Sequence, residues 1–327
     1  MTTAHPTPLT SQHSRNYRAV AVTTAIVVTL ALLLTACSRS EEAAKPAAGG
    51  DTKNTRVAAL GLGDADTLLS LGITPVAVAP WGAQGDVDKS GVGPWSKELL
   101  GDATPEPIYN TAQGFTSQIL EKVTATNPEQ IIAVNQAVDA QAKKALAAIA
   151  PTTTHSEQFA DWQVPWEDQV TTIAHAVGKE SEGQEQIKKT KKAFEDFQAQ
   201  HPELKGKRAA VVMPYQGKIG IYTSGDGRGQ FLKSLGFHIP AEIEGDGKQF
   251  YRDLAPENYS ELNNVDYLFV LDYKGAVDAL KKDTTFNNLD VVKSGRAHFL
   301  HENVGNAMSM PNPVTIPWAI QKFAESL

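Results

Sequence analysis

The chain has 327 residues, with 30 Lys and Arg against 37 Asp and Glu, a formal charge of −7 and 41% hydrophobic residues. So acidic a balance excludes nucleic acid as a partner, and a single cysteine, Cys37, excludes an internal disulfide, so the fold must rest on its core. The length is long for one hydrophobic core and comfortable for two lobes.

In chain order, a polar start carrying Arg15 and Arg18 but no acid leads into the uncharged run AVAVTTAIVVTLALLLTAC, Ala19–Cys37. Its apolar part has the length of a signal-peptide core and is marginal for a membrane span of about 20 residues. The ending Leu34-Thr35-Ala36-Cys37 resembles the lipobox of bacterial lipoproteins. That resemblance implies a signal peptide over residues 1–36, a lipidated Cys37 as new N-terminus, and a protein anchored on the outer face of the cytoplasmic membrane. An uncleaved anchor helix is the alternative. Cleavage leaves 291 residues and, without Arg15 and Arg18, a charge of −9. Residues 37–55, small and polar with no apolar period, read as a flexible tether.

From Arg56 the texture becomes α/β. RVAAL and PVAVA read as buried strands around the short helix DADTLLSLG, stopped by Gly72, which suggests a parallel layout. Trp81–Thr111, rich in Gly, Asp and Pro, reads mostly as loop. TSQILEKVTA is helical, EQIIAV a strand, AQAKKALAAIA a helix ended by Pro151, and WEDQVTTIAHAVG a helix ended by Gly178. The longest helical pattern is SEGQEQIKKTKKAFEDFQAQ, with Ile187, Thr190, Phe194 and Phe197 on one stripe. Beyond it lie the strands RAAVVMP and IGIYT, the helix QFLKSLG, the strand NVDYLFVL, the helix KGAVDALKK, the strand RAHFL and a closing helix in PNPVTIPWAIQKFAESL. Tyr251 and Arg252 fall in a segment that reads as loop.

The halves echo one another. LLSLGITP parallels FLKSLGFHIP, and Glu121 and Glu257 each stand ten positions before a strand start, at Ile131 and Tyr267. The expected domains are 56–180 (N-terminal lobe), 181–204 (linking helix) and 205–327 (C-terminal lobe). The stretch TSGDGRGQFLKSLGF, Thr223–Phe237, places three glycines and Arg228 ahead of a helix, a phosphate-cradle pattern, but it lacks the G-x-x-x-x-G-K-[ST] spacing of a P-loop. An exported protein also meets little nucleotide.

The order of LLSLGITPVAV, LEKVTATNPEQIIAV, Ala150-Pro151-Thr152, SLGF, ENYSELNNVDYLFVL and FNNLDVVKSGRAHFL is similar to that in the iron-siderophore and cobalamin substrate-binding proteins of ABC importers, over most of 56–323. Pro128-Glu129 stands where that family usually has Pro-Asp. The resemblance implies two similar α/β lobes joined by one long helix, near Ser181–Gln200, with a ligand cleft between them. It implies a monomer that carries a ferric siderophore chelate, without a cofactor of its own, to a permease docked by Glu121 and Glu257.

A cleft for a large, partly aromatic, often anionic chelate calls for arginine and flat aromatic side chains. Arg228 is the first candidate, with Tyr222 on the strand feeding its loop and Tyr215 at a strand end. Tyr251, Arg252 and Phe115 follow, since Phe115 and Tyr251 each stand six positions before the paired glutamates. In the cobalamin-binding relatives, aromatic residues at those two places touch ligand. Trp81, Trp95 and Trp162 lie in loops, and Asn135 and Gln136 follow a strand and could line the rim. No residues form a metal-ligand cluster: His298 and His301 would face opposite sides of a strand. Haem, cobalamin or a free metal remain alternative ligands on the same fold. There is no G-x-S-x-G, H-E-x-x-H or C-x-x-C motif, so an exported hydrolase is the alternative of a different class.

Overall fold

A computed structural model describes residues 55–327 apart from 83, 86, 88 and 248. The expected signal peptide, Cys37 and all of the expected tether except Thr55 lie outside the described residues. The N-terminal lobe runs β1 (Val57–Ala59), α1 (Asp64–Ser70), β2 (Ala77–Val78), α2 (Lys97–Leu100), β3 (Glu106–Pro107), α3 (Ser117–Ala125), β4 (Gln130–Ala133), α4 (Ala140–Ala147), β5 (Thr152–Thr154) and α5 (Trp166–Ala176). Its sheet, ordered β3-β2-β1-β4-β5, is parallel throughout. Helices cover both faces. Val57, Ala59 and Ile132 pack with Leu68 and Ile173, while Ala58, Ile131 and Ala133 pack with Ile119, Val123 and Leu146. Burial on both sides is why these strands read as continuous apolar runs. Strand order reverses at the β1/β4 pair, the place where parallel α/β sheets open a crevice at their carboxyl ends.

The second lobe runs β6 (Ala209–Tyr215), β7 (Lys218–Tyr222), α7 (Gly227–Ser234), α8 (Ala241–Glu244), β8 (Tyr251–Leu254), β9 (Tyr267–Leu271), α9 (Val277–Leu280), α10 (Thr284–Asn287), α11 (Asp290–Lys293), β10 (Ala297–Leu300), α12 (Glu302–Ser309) and α13 (Thr315–Ala324). Its sheet is ordered β10-β9-β6-β7-β8, parallel from β10 to β6 and antiparallel from β6 to β8. The lobes are therefore similar in architecture without being copies. The difference starts at Gln216-Gly217, whose φ values of 47° and 76° fit a two-residue hairpin turn with both central residues left-handed, so β7 folds straight back on β6. The sequence echo does correspond to a shared device: Gly72 and Gly236 both end a helix with positive φ, 76° and 97°.

One expectation needs correction. Residues 251–254, read as loop, form β8. As a short edge strand it is paired on one side only and shows little apolar alternation, so it carries no periodic signal. Residues 81–111, read as mostly loop, are so among the described residues, interrupted by α2 and the two-residue edge strand β3.

The long helix α6 (Glu180–Gln200) connects the lobes and buries the anticipated stripe, Ile187, Thr190, Phe194 and Phe197. The stripe enters a core drawn from both lobes: Trp166 and Val170 from the first, Phe231, Phe269 and Phe323 from the second. Phe323 is its hub, with ring centroids 4.4 Å from Phe269 and 6.0 Å from Phe197 and Phe231.

Covalent linkage through α6 is not the only tie between the lobes. The carboxylate of Asp66 on α1, fully buried, accepts hydrogen bonds from Ser96 Oγ and, at 3.3 Å, from Asn312 Nδ2 in the segment before α13. Asn312 is itself fixed: its Oδ1 accepts from the N–H of Val314 (2.9 Å) and of Thr315 (3.0 Å). Trp95 and Trp318 meet edge to face at 5.6 Å beside it. Asn312→Ala would leave the Asp66 carboxylate short of a donor. We expect a loss of about 1–3 kcal/mol, read as a lower midpoint in urea unfolding with an unchanged slope.

Candidate functional site

The glycine-rich stretch ends in a helix N-terminus that is already occupied by its own side chain. Asp226 is the N-cap of α7: Oδ1 accepts the backbone N–H of Arg228 at 2.8 Å, and Oδ2 accepts from Arg228 Nη1 at 2.9 Å. Burial pushes the Asp226 carboxyl above its usual range, and the Arg228 charge beside it opposes that. The glycines serve packing. A Cβ on Gly227 would stand 2.8 Å from the Met308 carbonyl oxygen and from Pro311 Cδ, and one on Gly229 would stand 2.0 Å from the Thr223 oxygen. Arg228 is the second residue of α7 rather than part of the loop before it.

The side chain of Arg228 lies over the Tyr222 ring, with Cζ 4.1 Å from the centroid, a stacking distance for guanidinium on an aromatic face. Its Nε–H is buried and has no hydrogen-bond partner among the described residues. Tyr222 on β7 pairs directly with Tyr251 on β8, their rings 6.1 Å apart, and its hydroxyl donates to Met213 Sδ at 3.7 Å. Strand alternation puts Met213, Tyr215, Tyr222 and Tyr251 on one sheet face. Tyr222 is buried, whereas Tyr251 and Tyr215 are 50% and 45% exposed. Arginine, tyrosine and thioether thus make an amphipathic wall with Tyr251 and Tyr215 exposed.

Between the lobes lies a cavity of about 210 Å³ lined by Trp81, Trp95 and Lys97 from the first lobe and by Asn303 and Asn306 of α12 from the second. Trp81 follows β2 at the carboxyl end of the first sheet. Trp95 is mostly packed. Its ring fills the space a Cβ on Gly93 would need, 2.2 Å away, so it supports the interlobe seam as well as the cavity.

The remaining candidates stand elsewhere. Arg252 is a correction. Its register partner is Ile221, so it projects from the opposite face to Tyr222 and Tyr251, where Nη2 donates to Glu261 (2.7 Å) and to the Glu242 carbonyl (3.2 Å). Asn135 and Gln136 are also buried inward rather than at the rim. Asn135 Nδ2 donates to the Leu62 carbonyl at 3.3 Å, and Gln136 Nε2 to that of Leu60 at 3.0 Å. Phe115 packs on the core face that holds Ile119 and Val123. Trp162, half-buried with φ of 58°, is not among the residues lining the interlobe cavity. Glu121 is exposed on α3, as its fifth residue, and Glu257 is exposed in the 3-10 turn Pro256–Asn264. Among the described residues, no three His, Cys, Asp or Glu side chains group to hold a metal ion.

Sequence reasoning missed three aspartates. Asp226 and Asp66 are described above. Asp64, fully buried, fills the β1/β4 crevice. Its carboxylate accepts from the N–H of Gly61 (3.0 Å), Val134 (2.9 Å) and Asn135 (3.4 Å), and from Gln169 Nε2 (2.7 Å). The available signal was the pair of acids opening DADTLLSLG, which also suits an ordinary helix start.

A family model described as periplasmic binding protein matches residues 57–304. The chain belongs to the periplasmic binding protein family. This periplasmic binding protein is 29% identical over 265 residues to the Fe(3+)-citrate-binding protein YfmC of Bacillus subtilis, covering 79% of this chain and 76% of YfmC. Among solved structures, a periplasmic solute binding protein from Mycobacterium smegmatis aligns with a TM-score of 0.72 at 27% identity, over 84% of this chain and 91% of that one. PiaA from Streptococcus pneumoniae, in complex with ferrichrome, aligns at 0.67 and 27%, over 85% and 93%. These relatives are binding proteins, and the protein is one as well, not an exported hydrolase.

Burial raises the Asp64 carboxyl from its ordinary 3.8 to about 6, against the pull of its four donors. A raised native value means that the folded state holds a proton the unfolded chain has released. The contribution is full below about pH 4 and is lost as pH rises through about 6. In urea unfolding across that window, stability should fall with rising pH by up to about 3 kcal/mol from this group. The slope should flatten in Asp64→Asn.

Proposed function

We propose that the protein captures a ferric chelate outside the cytoplasm and delivers it to the permease of an ABC importer. The observation that carries this is Arg228 laid on Tyr222, with Tyr251 and Tyr215 exposed on the same sheet face, together with the Trp81 ring lining the cavity between the lobes. A chelate already fills the coordination sphere of its iron, so the protein needs flat apolar contact and hydrogen-bond donors, which this face supplies, rather than ligands to the metal. The names of the relatives point the same way, to ferric citrate and to ferrichrome. No cofactor of its own enters this reading.

The finer parts belong to the same proposal. Cys37 carries the lipid that holds the protein, as a monomer, at the outer face of the membrane. The tether of residues 37–55 gives it reach, and Glu121 and Glu257, one exposed acid per lobe, meet arginines of the permease.

Titration of the full chain with ferric citrate, ferrichrome, haem, cobalamin and bare metal ions, followed by tryptophan fluorescence, tests the reading. We expect saturable quenching by a ferric chelate. Arg228→Ala should weaken it by about 10- to 100-fold, the value of one hydrogen bond from a charged donor. Saturation by haem, cobalamin or a bare ion alone would move the protein to another ligand.

A further inference from the structure

The charge of Arg228 is balanced from inside the protein. Its side chain is 14% exposed and that of Asp226 13%, with 2.9 Å between Nη1 and Oδ2, so the pair is close to neutral as a unit. What it offers a ligand is hydrogen-bond donation, its Nε–H having no partner among the described residues, rather than a free positive charge. The other cation on this sheet face, Lys218, is paired with Asp253 at 3.1 Å. The rings beside the pair, Tyr222 and Tyr251, are uncharged, as are Trp81, Asn303 and Asn306 in the interlobe cavity. Lys97, which also lines the cavity, is exposed, where water screens its field.

Resting on the reading that the ligand is a ferric chelate, we propose that this site selects electrically neutral chelates over anionic ones. In a neutral chelate of the hydroxamate class, three singly charged bidentate groups balance iron(III). A ferric citrate or catecholate complex keeps a net negative charge. Moving that anion out of water costs several kcal/mol unless a cation faces it, and here the buried cation already has a carboxylate partner. A neutral chelate avoids that cost, uses the tyrosine and tryptophan faces, and presents oxygen acceptors to Arg228 Nε and to the asparagine amides. Similarity does not choose between the classes, because a ferric-citrate-binding relative at 29% identity and a ferrichrome complex at 27% point in different directions. The Asp226–Arg228 pair does.

The test compares ferrichrome, neutral, with ferric citrate, anionic, on the full chain by fluorescence titration. Ferrichrome should bind at least about tenfold tighter, with an affinity that changes little between low and high salt. Asp226→Asn keeps an oxygen to cap α7 and removes the negative charge. It should shift the ratio of the two affinities toward ferric citrate by about tenfold or more. Thermal unfolding of the variant shows whether it is folded; if it is not, the salt series on the unaltered protein decides alone. Ferric citrate binding as tightly as ferrichrome or tighter, and weakening steeply with salt, overturns the neutral-ligand inference while the ferric-chelate reading stands. Binding of neither chelate, with haem or cobalamin bound instead, overturns both.

Discussion

The contact between Asp66 and Asn312 joins residues 246 positions apart in the chain, and the relation between the two lobes depends on it. A single connecting helix fixes one line between two bodies and leaves them free to bend about it. A buried carboxylate that takes donors from Ser96 and Asn312, beside the Trp95–Trp318 contact, adds a second point of attachment away from α6. The aromatic core around Phe323 fills the space between those attachments with side chains from both lobes. Trp81 and the Asn303–Asn306 edge therefore face each other across a space whose width is set by packed structure rather than by loops.

Buried carboxylates recur wherever this protein needs a loop held still. Asp64 gathers the backbone N–H groups of Gly61, Val134 and Asn135, closing the crevice that the strand order opens. Asp66 bridges the lobes, and Asp226 caps α7 and holds Arg228. In each case burial raises the carboxyl and the donors around it oppose the rise. A side chain that is costly to bury alone becomes a fixed post when several donors converge on it, because none of them can leave without exposing a buried, unpartnered charge.

The parts of the fold that were legible in the sequence are those with a period. α3 and α6 match their apolar stripes almost to the residue, and the parallel strands show as short apolar runs because both of their faces are covered. The edge strands β3 and β8 have no such pattern and were invisible. Among the candidate site residues, Arg228, Tyr222 and Tyr251 come together, with Tyr215 farther along the same sheet face. What composition could not carry is direction. Arg252 adjoins Tyr251 in sequence, yet strand alternation turns it to the other face. Asn135 follows a strand just as a rim residue would, but the carboxylate of Asp64 and the Leu62 carbonyl draw it inward. Nor could the sequence distinguish glycines that cradle an anion from glycines that admit a neighbouring chain.

That last distinction has a structural consequence. Gly227 has no clearance from the Met308 and Ser309 carbonyls and the Pro311 ring, so α7 is seated directly on residues 308–311. The next residue is Asn312, which reaches Asp66 in the other lobe. The helix that presents Arg228 and the segment that holds the lobes together are thus one packed unit, with no flexible spacer between them. Packed interfaces of this kind shift between discrete arrangements rather than deforming continuously. A fixed cavity width suits a rigid, preformed ligand better than one that must be wrapped, and the glycines that looked like a phosphate cradle contribute to that fixed width.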